Sequence, residues 1–456
     1  MTARHAPGRR CSEMATLTFP LSRMEGHAQV VVEISRGTVV SAHFQATEYR
    51  GFELLVLGGP AEQMPVIVPR ICGVCSTAHH VAAVKTLEAI YGVTPPPVAL
   101  KIRELLMLGQ LLQNQATSLF IFTMPDRVGA ESLYDLAERG PEEVAADTVA
   151  HALQVRQVGT HLITLAGGQF IHPVKAVVGG VTSGLDSEGA LKMLDELAWA
   201  LPIASELFDA YWEASLAMGE RLGTWGDDAP ACYITSVGGE RPNYYGDVLR
   251  VLGCDGEEVC TIFPADDYQQ YLIEEEAEYS YARKTSYQNQ VMRANSLARI
   301  NLAQHMDTPR ADGYLTRFHE AFGQPAHAIM LFDLARGIEL VYAIERAREI
   351  LVELLDTGQV DDRADVKVPY TPRDGEGYGL VEAPRGPLIH HYRVEMGKIA
   401  QAEFIIPTVH NLAAIERALR VAAERYVTAE SVALELELAV GRVVRSFDPC
   451  IACATH

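Results

Sequence analysis

Apolar residues recur at three- and four-residue spacing along most of the chain, the pattern of helices that bury one face. One such stripe comprises Leu105, Leu108, Leu112, Leu119 and Phe122. Comparable stripes run through 144–165, 191–207, 329–355 and 412–438. The stripe in 329–355 is long enough for the central helix of a bundle. The pattern predicts a helical body over 77–357.

Two segments depart from the helical period. Between Ala28 and Ala46, two β-rich runs flank Ser35-Arg36-Gly37-Thr38, which predicts a hairpin over 28–46. Glycine and proline are dense from 358 to 407, and two further β-rich runs meet there at Met396-Gly397. This segment is therefore predicted to be a β-rich insert.

Stop signals and the ends of the chain complete the prediction. A helix over Thr77–Tyr91 is expected to end at Gly92, before three consecutive prolines. The fold class is mainly α with small β ribbons, or α+β. We expect a flexible tail at 1–15, one domain over 16–456, and a C-terminal helix and metal motif over 411–456.

Composition and charge narrow the class of protein. The chain has 456 residues, is 48% hydrophobic and carries a net charge of −21. This is typical of a globular protein and argues against non-specific binding to nucleic acid or to anionic membranes. No window of about 20 residues is uniformly apolar, so no membrane span is predicted. The N-terminus also lacks the apolar core of a secretory signal.

Four of the eight cysteines form two tight pairs, Cys72-x-x-Cys75 and Cys450-x-x-Cys453. Without a signal peptide, paired cysteines indicate metal or redox ligands before disulfides. Two thiolates three residues apart around a turn can both bind one metal, and a following helix lowers their pKa. The isolated cysteines are interpreted as small buried apolar residues: Cys11, Cys232, Cys254 and Cys260.

Four sulfur ligands suit a soft metal, and the simplest alternative is a structural zinc site. The two pairs lie near opposite ends of the chain, unlike the ligands of a compact zinc module. The pairs also belong to longer motifs, with Arg70 before the first and His456 after the second. These features favour a catalytic centre over structural zinc.

The motifs together resemble the large subunit of the nickel–iron hydrogenases over nearly the whole chain. Six segments carry the resemblance in order: Arg23-Met24-Glu25-Gly26-His27, Arg50-Gly51-Phe52-Glu53, Arg70-Ile71-Cys72-Gly73-Val74-Cys75, Ala383-Pro384-Arg385-Gly386, Pro407-Thr408-Val409-His410-Asn411 and Asp448-Pro449-Cys450-Ile451-Ala452-Cys453-Ala454-Thr455-His456. Each alone is weak evidence, but all six in this order make coincidence implausible.

The resemblance implies a nickel bound by Cys72, Cys75, Cys450 and Cys453. Cys75 and Cys453 would bridge to an iron that also carries carbon monoxide and cyanide, and one coordination position would stay open for catalysis. It also implies a magnesium or iron ion bound by Glu53, the Phe404 carbonyl and His456. No iron–sulfur cluster is expected in this chain.

The resemblance also assigns residues around the metals. Glu25, Arg385 and Cys450 would be catalytic, with Glu25 taking a proton from the Cys450 sulfur. Arg385 would offer charged donors near the diatomic ligands. Four residues would support them: His79 by a hydrogen bond to Cys75, Thr408 by one to a cyanide, and Pro384 and Asp448 beside Arg385.

Three departures from the family pattern stand out. Asn114-Gln115-Ala116-Thr117-Ser118 replaces a segment that carries His-Asp or Ser-His in many relatives, leaving Asp448 as the carboxylate for Arg385. Asn295-Ser296 replaces Gly-Pro before Leu-Ala-Arg, and His410 replaces a tryptophan common in membrane-associated members. The chain thus looks more like the cytoplasmic, cofactor-coupled members (bidirectional or viologen-reducing).

The implied function is reversible heterolytic cleavage of dihydrogen, with electrons passing to an iron–sulfur small subunit. Further flavin or iron–sulfur subunits, a maturation protease and nickel-insertion proteins are the other expected partners. We also expect the gene to encode a C-terminal extension that the protease removes. A hydrogen sensor with the same metals is the main alternative, since a non-catalytic relative of a respiratory complex I subunit would lack the cysteines.

Overall fold

The computed structural model describes residues 14–138, 146–227, 229–246, 248–253, 258–360, 365–428 and 435–455. Most of the predicted tail, residues 1–13, lies outside this part of the chain, but the segment predicted as tail already forms a strand from Ala15. Cys11, Cys254 and His456 also lie outside it. Among the described residues, no helix is long and apolar enough to cross a membrane.

Helices form most of the described structure. In chain order they are α1 Phe52–Leu55, α2 Met64–Ile67, α3 Ser76–Tyr91, α4 Pro97–Ala116, α5 Met124–Val128, α6 Leu133–Glu138, α7 Ala146–Gly167, α8 Ser187–Leu216, α9 Arg221–Thr224, α10 Tyr268–Tyr271, α11 Ser296–Leu302, α12 Pro309–Phe322, α13 Phe332–Asp356, α14 Leu412–Tyr426, α15 Leu436–Phe447 and α16 Ile451–Ala454. The mainly helical prediction is confirmed.

The central helix predicted in 329–355 is α13, which packs against α4 and α8. Nearly every side chain from Phe332 to Ile344 is buried, so α13 has no solvent-facing stripe in its first half. The charged residues Asp333, Arg336 and Glu339 are buried with it and are paired with other side chains. The stripe at 412–438 corresponds to two helices, α14 and α15, rather than one.

Strands form several small sheets. They are β1 Ala15–Pro20, β2 Ala28–Ser35, β3 Thr38–Ala46, β4 Ala176–Val177, β5 Gly180–Val181, β6 Cys232–Gly238, β7 Arg241–Pro242, β8 Val248–Leu252, β9 Glu258–Pro264, β10 Leu272–Ala277, β11 Ser280–Tyr287, β12 Met292–Arg293, β13 Gly375–Ala383, β14 Gly386–Glu395 and β15 Lys398–Ile405. The order β1-β2-β3 contains the predicted hairpin, and β13-β14-β15 forms the predicted insert.

The helical body predicted over 77–357 is wrong between Cys232 and Arg293. This stretch forms a five-stranded sheet, in which β6 pairs with β8 and β12, and a separate hairpin of β10 and β11. The strand β6 is buried almost throughout because β14 and α11 pack against it. A fully buried strand shows no alternation of apolar and polar residues, and helical patterns flank this stretch on both sides. The predicted helical body was therefore extended across it.

A matched pair of glycines tests the packing of α13 on α8. A Cβ at Gly337 would lie 1.9 Å from Cε2 of the fully buried Phe208, whereas one at Gly313 on α12 would meet no atom within 4 Å. Alanine favours a helix by about 1 kcal/mol over glycine, but overpacking a core costs about 1–3 kcal/mol. We expect Gly337→Ala to lower the thermal unfolding midpoint and Gly313→Ala to raise it. Equal changes in the two midpoints would refute this view of the helix contact.

Candidate metal centre

The four paired cysteines meet at one buried point. The Sγ atom of Cys450 lies 3.3 Å from that of Cys72, 3.5 Å from that of Cys75 and 3.1 Å from that of Cys453. All four sulfur atoms lie within 4.8 Å of one another, and none of the four residues is more than 6% exposed. These separations exceed a disulfide bond of about 2.05 Å, so the sulfurs form an open ligand cluster.

Each pair is held at the start of a helix. Cys75 precedes the first residue of α3, and Cys450 precedes the first residue of α16. The preceding 3₁₀ turn, Val68–Ile71, leads directly into Cys72. Backbone N–H groups at the start of α3 favour negative charge on sulfur there. The sequence predicted this placement for the first pair.

The C-terminal segment reaches the first pair by lying along the N-terminal motif. Glu25 and Cys450 form a parallel bridge, and the Arg50 N–H donates to the Thr455 carbonyl at 2.7 Å. Gly26 has φ +81°, and a Cβ there would lie 2.7 Å from Cβ of the buried Ile451. This position therefore needs glycine both for its backbone conformation and for the close approach of the C-terminus.

The thiols differ in acidity. Hydrogen bonds from Cys450 and Cys453 lower the pKa of both Cys72 and Cys75. Burial raises the pKa of Cys450 and Cys453 well above the usual value. Four buried sulfurs at this spacing repel one another as thiolates, so a cation between them relieves a large charge cost. The donor set fits soft metals such as nickel and iron.

Arg385 lies over the cluster. Its Nη1 donates to the Cys75 Sγ at 3.4 Å, its Nη2 pairs with Asp448 at 3.0 Å and its Nε donates to the Asp448 carbonyl at 2.6 Å. Burial by itself would lower the pKa of the guanidinium, but Asp448 and the cysteines raise it well above the usual value. The cluster therefore has a permanent positive charge on one side.

Asp448 is fixed from its other side by α4. The Asn114 Nδ2 donates to the second carboxylate oxygen of Asp448 at 3.1 Å. Asp448 itself ends α15 with φ +49°, which turns the chain from that helix towards Cys450. The sequence identified the segment beginning at Asn114 as a departure from the family pattern without assigning it a role. The structure makes it the support of the Arg385–Asp448 pair.

Glu25 lies on a different side of the cluster. Its Oε2 accepts from the Cys450 Sγ and from the Ala452 N–H, both at 3.1 Å. Burial is the largest cause that raises the pKa of this carboxyl. Its neighbours Gly26 and His27 are exposed, so the carboxyl lies between a buried sulfur and the surface. This geometry allows a proton to pass between sulfur and carboxylate.

Two of the supporting residues, Thr408 and His79, contact the cysteines, whereas Pro384 contacts Arg299. The Thr408 Oγ1 accepts from the Cys450 N–H at 2.9 Å, and the Pro384 carbonyl accepts from Arg299 at 2.6 Å. The imidazole of His79 was assigned to Cys75 from the sequence. Its Nε2 lies 3.4 Å from the Cys453 Sγ, a contact that the sequence did not predict, and the bond to Cys75 stays a prediction.

Two of the three residues assigned to a further metal are in contact. The Phe404 N–H donates to Glu53 Oε1 at 3.1 Å, and the other Glu53 oxygen pairs with Arg283 at 3.2 Å. Arg283 was not predicted to lie here, because it belongs to the β10–β11 hairpin, in a stretch that was predicted to be helical. His456 lies outside the described residues.

A buried ion network behind Arg385 was also missed from the sequence. Arg299 pairs with Glu339 and Glu382, and it donates to the carbonyls of Ala383 and Pro384. It thereby fixes the backbone just before Arg385. A signal in the sequence was Glu339, which with Asp333 and Arg336 interrupts the apolar stripe of α13 and needs a buried partner.

Comparison with known proteins identifies the family of this chain. A family model described as nickel-dependent hydrogenase matches residues 50–132 and 247–456. The chain belongs to the nickel-dependent hydrogenase family. It is 36% identical to one of the subunits of the F420-non-reducing hydrogenase vhu from Methanococcus voltae, over 89% of this chain and 97% of that protein. It is 30% identical to the NAD-reducing hydrogenase HoxS subunit beta of Cupriavidus necator, over 96% of this chain and 93% of that protein.

A solved structure extends the agreement to the fold. An NAD+-reducing [NiFe]-hydrogenase in the H2-reduced state superposes with a TM-score of 0.90 at 28% identity, covering 98% of this chain and all of that one. The recognition of a nickel–iron hydrogenase large subunit from six motifs is therefore confirmed. The enzyme class follows, because this chain retains the buried four-cysteine cluster.

Elemental analysis tests the ligand set. We expect nickel and iron at about one each per chain, because four thiolates around an open position suit a nickel–iron pair. Cys450→Ser should lose nickel, since its sulfur lies within 3.5 Å of the other three. Cys232→Ser is the matched control: its buried Sγ donates to Gln290 at 2.9 Å, away from the cluster, and a serine can replace that bond. Zinc alone in the wild type would refute the assignment.

Proposed function

We propose that the chain catalyses reversible heterolytic cleavage of dihydrogen to protons and electrons. The observation that carries the proposal is a buried cluster of four sulfurs with a carboxylate at 3.1 Å and a guanidinium at 3.4 Å. When bound, the metals supply Lewis acidity and the capacity to accept electrons, with carbon monoxide and cyanide on the iron. The protein groups supply the base, the charge and the proton route.

Cys450 and Glu25 form the proposed proton route. The Cys450 sulfur accepts the proton released on cleavage, since it is in hydrogen-bond contact with the Glu25 carboxylate. Glu25 Oε2 receives it over 3.1 Å, and the raised pKa of that carboxyl keeps a protonated form accessible. The exposed Gly26 and His27 then place solvent within reach of the carboxyl.

Arg385 and Thr408 supply polar support on the iron side. The charge of Arg385 stabilises negative charge on the sulfurs and on the diatomic ligands, and Asp448 with Asn114 keeps the guanidinium in place. The Thr408 hydroxyl oxygen accepts from Cys450, which leaves its proton for a cyanide. Pro384 shapes the turn that presents Arg385.

A third metal ion, magnesium or iron, is proposed near the C-terminal segment with Glu53, the Phe404 carbonyl and His456 as ligands. The contact of Glu53 with Phe404 and the Arg50–Thr455 hydrogen bond support this position. The carboxylate also pairs with Arg283, so a cation there would share Glu53 with the guanidinium. Its role would be to fix the segment that carries Cys450 and Cys453.

Electrons must leave through a partner, and we propose an iron–sulfur small subunit. The described residues show no cysteine cluster besides the one at the metals. Exposed apolar side chains surround the first cysteine pair: Val66 is 43% exposed, Val74 39% and Ile171 51%. The last is close to the pair because the adjacent His172 hydrogen-bonds Pro69 and Ser76. A partner that covers this surface would bring a cluster near the sulfurs.

The names of the relatives support further electron-transfer partners. Some of them are named for the reduction of NAD and others as F420-non-reducing. The chain has no glycine-rich dinucleotide fingerprint after a strand, so the final acceptor would be met by further flavin or iron–sulfur subunits. We also propose a cytoplasmic location, a maturation protease and nickel-insertion proteins, as in cofactor-coupled hydrogenases.

Glu25→Gln tests the proton route. The amide has the same shape but cannot carry a proton, so dihydrogen oxidation should fall by about 100-fold or more while nickel and iron content stays unchanged. Glu33→Gln is the control, because that glutamate accepts a hydrogen bond from Ser41 on the β2–β3 hairpin, away from the metals. Oxidation near the wild-type rate in Glu25→Gln would place the proton exit elsewhere.

Separation of the subunits tests the electron route. The purified single chain should reduce no viologen and exchange hydrogen isotopes weakly at best, because its described residues offer no second cysteine cluster to carry electrons to the dye. The complex with its iron–sulfur partner should do both. Viologen reduction by the single chain at the rate of the complex would contradict this account of electron flow.

A further inference from the structure

A buried line of hydrogen bonds leads from the metal cluster to a tyrosine. Cys453 Sγ lies 3.4 Å from His79 Nε2, His79 Nδ1 lies 3.0 Å from His390 Nε2, and His390 Nδ1 lies 2.5 Å from the Tyr392 hydroxyl. None of the four residues is more than 2% exposed. The line joins α16, α3 and β14, and neither the family motifs nor the proposed reaction assigns a role to its last two residues.

The two outer residues are held by the sheet. His390 and Tyr392 lie two positions apart on β14 and so project from the same face, while His391 between them pairs with Glu376 and Glu403 on the other face. Phe404 on β15 packs edge-on against both His79 and His390. The rings therefore have little freedom to turn away from one another.

Counting protons fixes the direction of the hydrogen bonds. A neutral imidazole carries one N–H, and a thiolate sulfur can only accept. If the phenol donates to His390 Nδ1, then His390 donates from Nε2 to His79 Nδ1, and His79 donates from Nε2 to Cys453. Each contact in the line then has one proton between its two atoms. In the opposite direction the lone pair of His79 Nε2 would face the Cys453 sulfur at 3.4 Å with no proton between them.

We propose that Tyr392 and His390 are positioning residues that hold His79 in the tautomer with its proton on Nε2, so that Cys453 receives a hydrogen bond. The inference rests on the proposed function only in that Cys453 is taken to bridge to the iron. Tyr392 ends the line inside the protein, and burial raises the pKa of its phenol well above the usual value. The line therefore sets a proton position and is not an exit route.

A hydrogen bond to a bridging sulfur withdraws electron density from it and from the iron behind it. The infrared stretching bands of the carbon monoxide and cyanide ligands report that density directly. In the complex carrying Tyr392→Phe, these bands should move to lower frequency, with nickel and iron content unchanged. Tyr378→Phe is the control: its hydroxyl bonds Glu376, on the face of the sheet away from the cluster, and the bands should stay at wild-type positions.

Two variants of His390 test the same idea without changing the tyrosine. His390→Gln keeps an N–H donor towards His79 and should preserve the bands, even when combined with Tyr392→Phe. His390→Leu removes the donor and should shift them as Tyr392→Phe does, which decides the matter if the tyrosine variant does not fold. Bands at wild-type positions in Tyr392→Phe, or at equal positions in the leucine and glutamine variants, would overturn the inference. Absence of such bands from the wild type would instead overturn the proposed function.

Discussion

The structure depends on the close approach of the last residues of the chain to the N-terminal motif at Gly26. That contact helps to bring Cys450 and Cys453 to Cys72 and Cys75, although 375 residues separate Cys75 from Cys450 along the chain. A side chain at Gly26 would collide with Ile451, and the strained positive φ there would add to the cost. The ligand set is thus a tertiary contact rather than a local motif, unlike the sites of small zinc modules.

Four sulfurs gathered inside a protein repel one another as thiolates, and the charged and polar residues around them offset this repulsion. Arg385 brings a buried positive charge to the cluster, Asp448 balances it, and Asn114 and Arg299 fix the carboxylate and the backbone on either side. Each of these polar groups is buried, and each would be costly if it lost its partner. The charged residues inside α13 also contribute to this arrangement, because Glu339 pairs with Arg299.

The sequence predicted those parts of the structure that residue type and local spacing determine. The cysteine pairs, the helix that ends at Gly92 and the β2–β3 hairpin could all be identified this way, because turn chemistry and ligand spacing are local. The sheet containing β6 could not, because burial by distant elements removed the alternation that marks a strand. The contact of His79 with the Cys453 sulfur was not predicted for a similar reason: spacing places His79 on α3 but does not say which way the ring turns. Arg283, His390 and Tyr392 were missed because only tertiary contacts give them a role.

The same contacts make four identical ligands chemically different. Cys450 faces a carboxylate, Cys75 faces a guanidinium and Cys453 faces an imidazole, so a proton acceptor, a fixed charge and a hydrogen-bond donor each address a separate sulfur. A site with equivalent sulfurs would have no preferred place for the proton released on cleavage. Because Glu25 contacts the Cys450 sulfur, we propose that the proton is directed to Cys450. The neighbours of Cys75 and Cys453 would instead stabilise sulfurs bound between two metals, the role that the family resemblance implies for them.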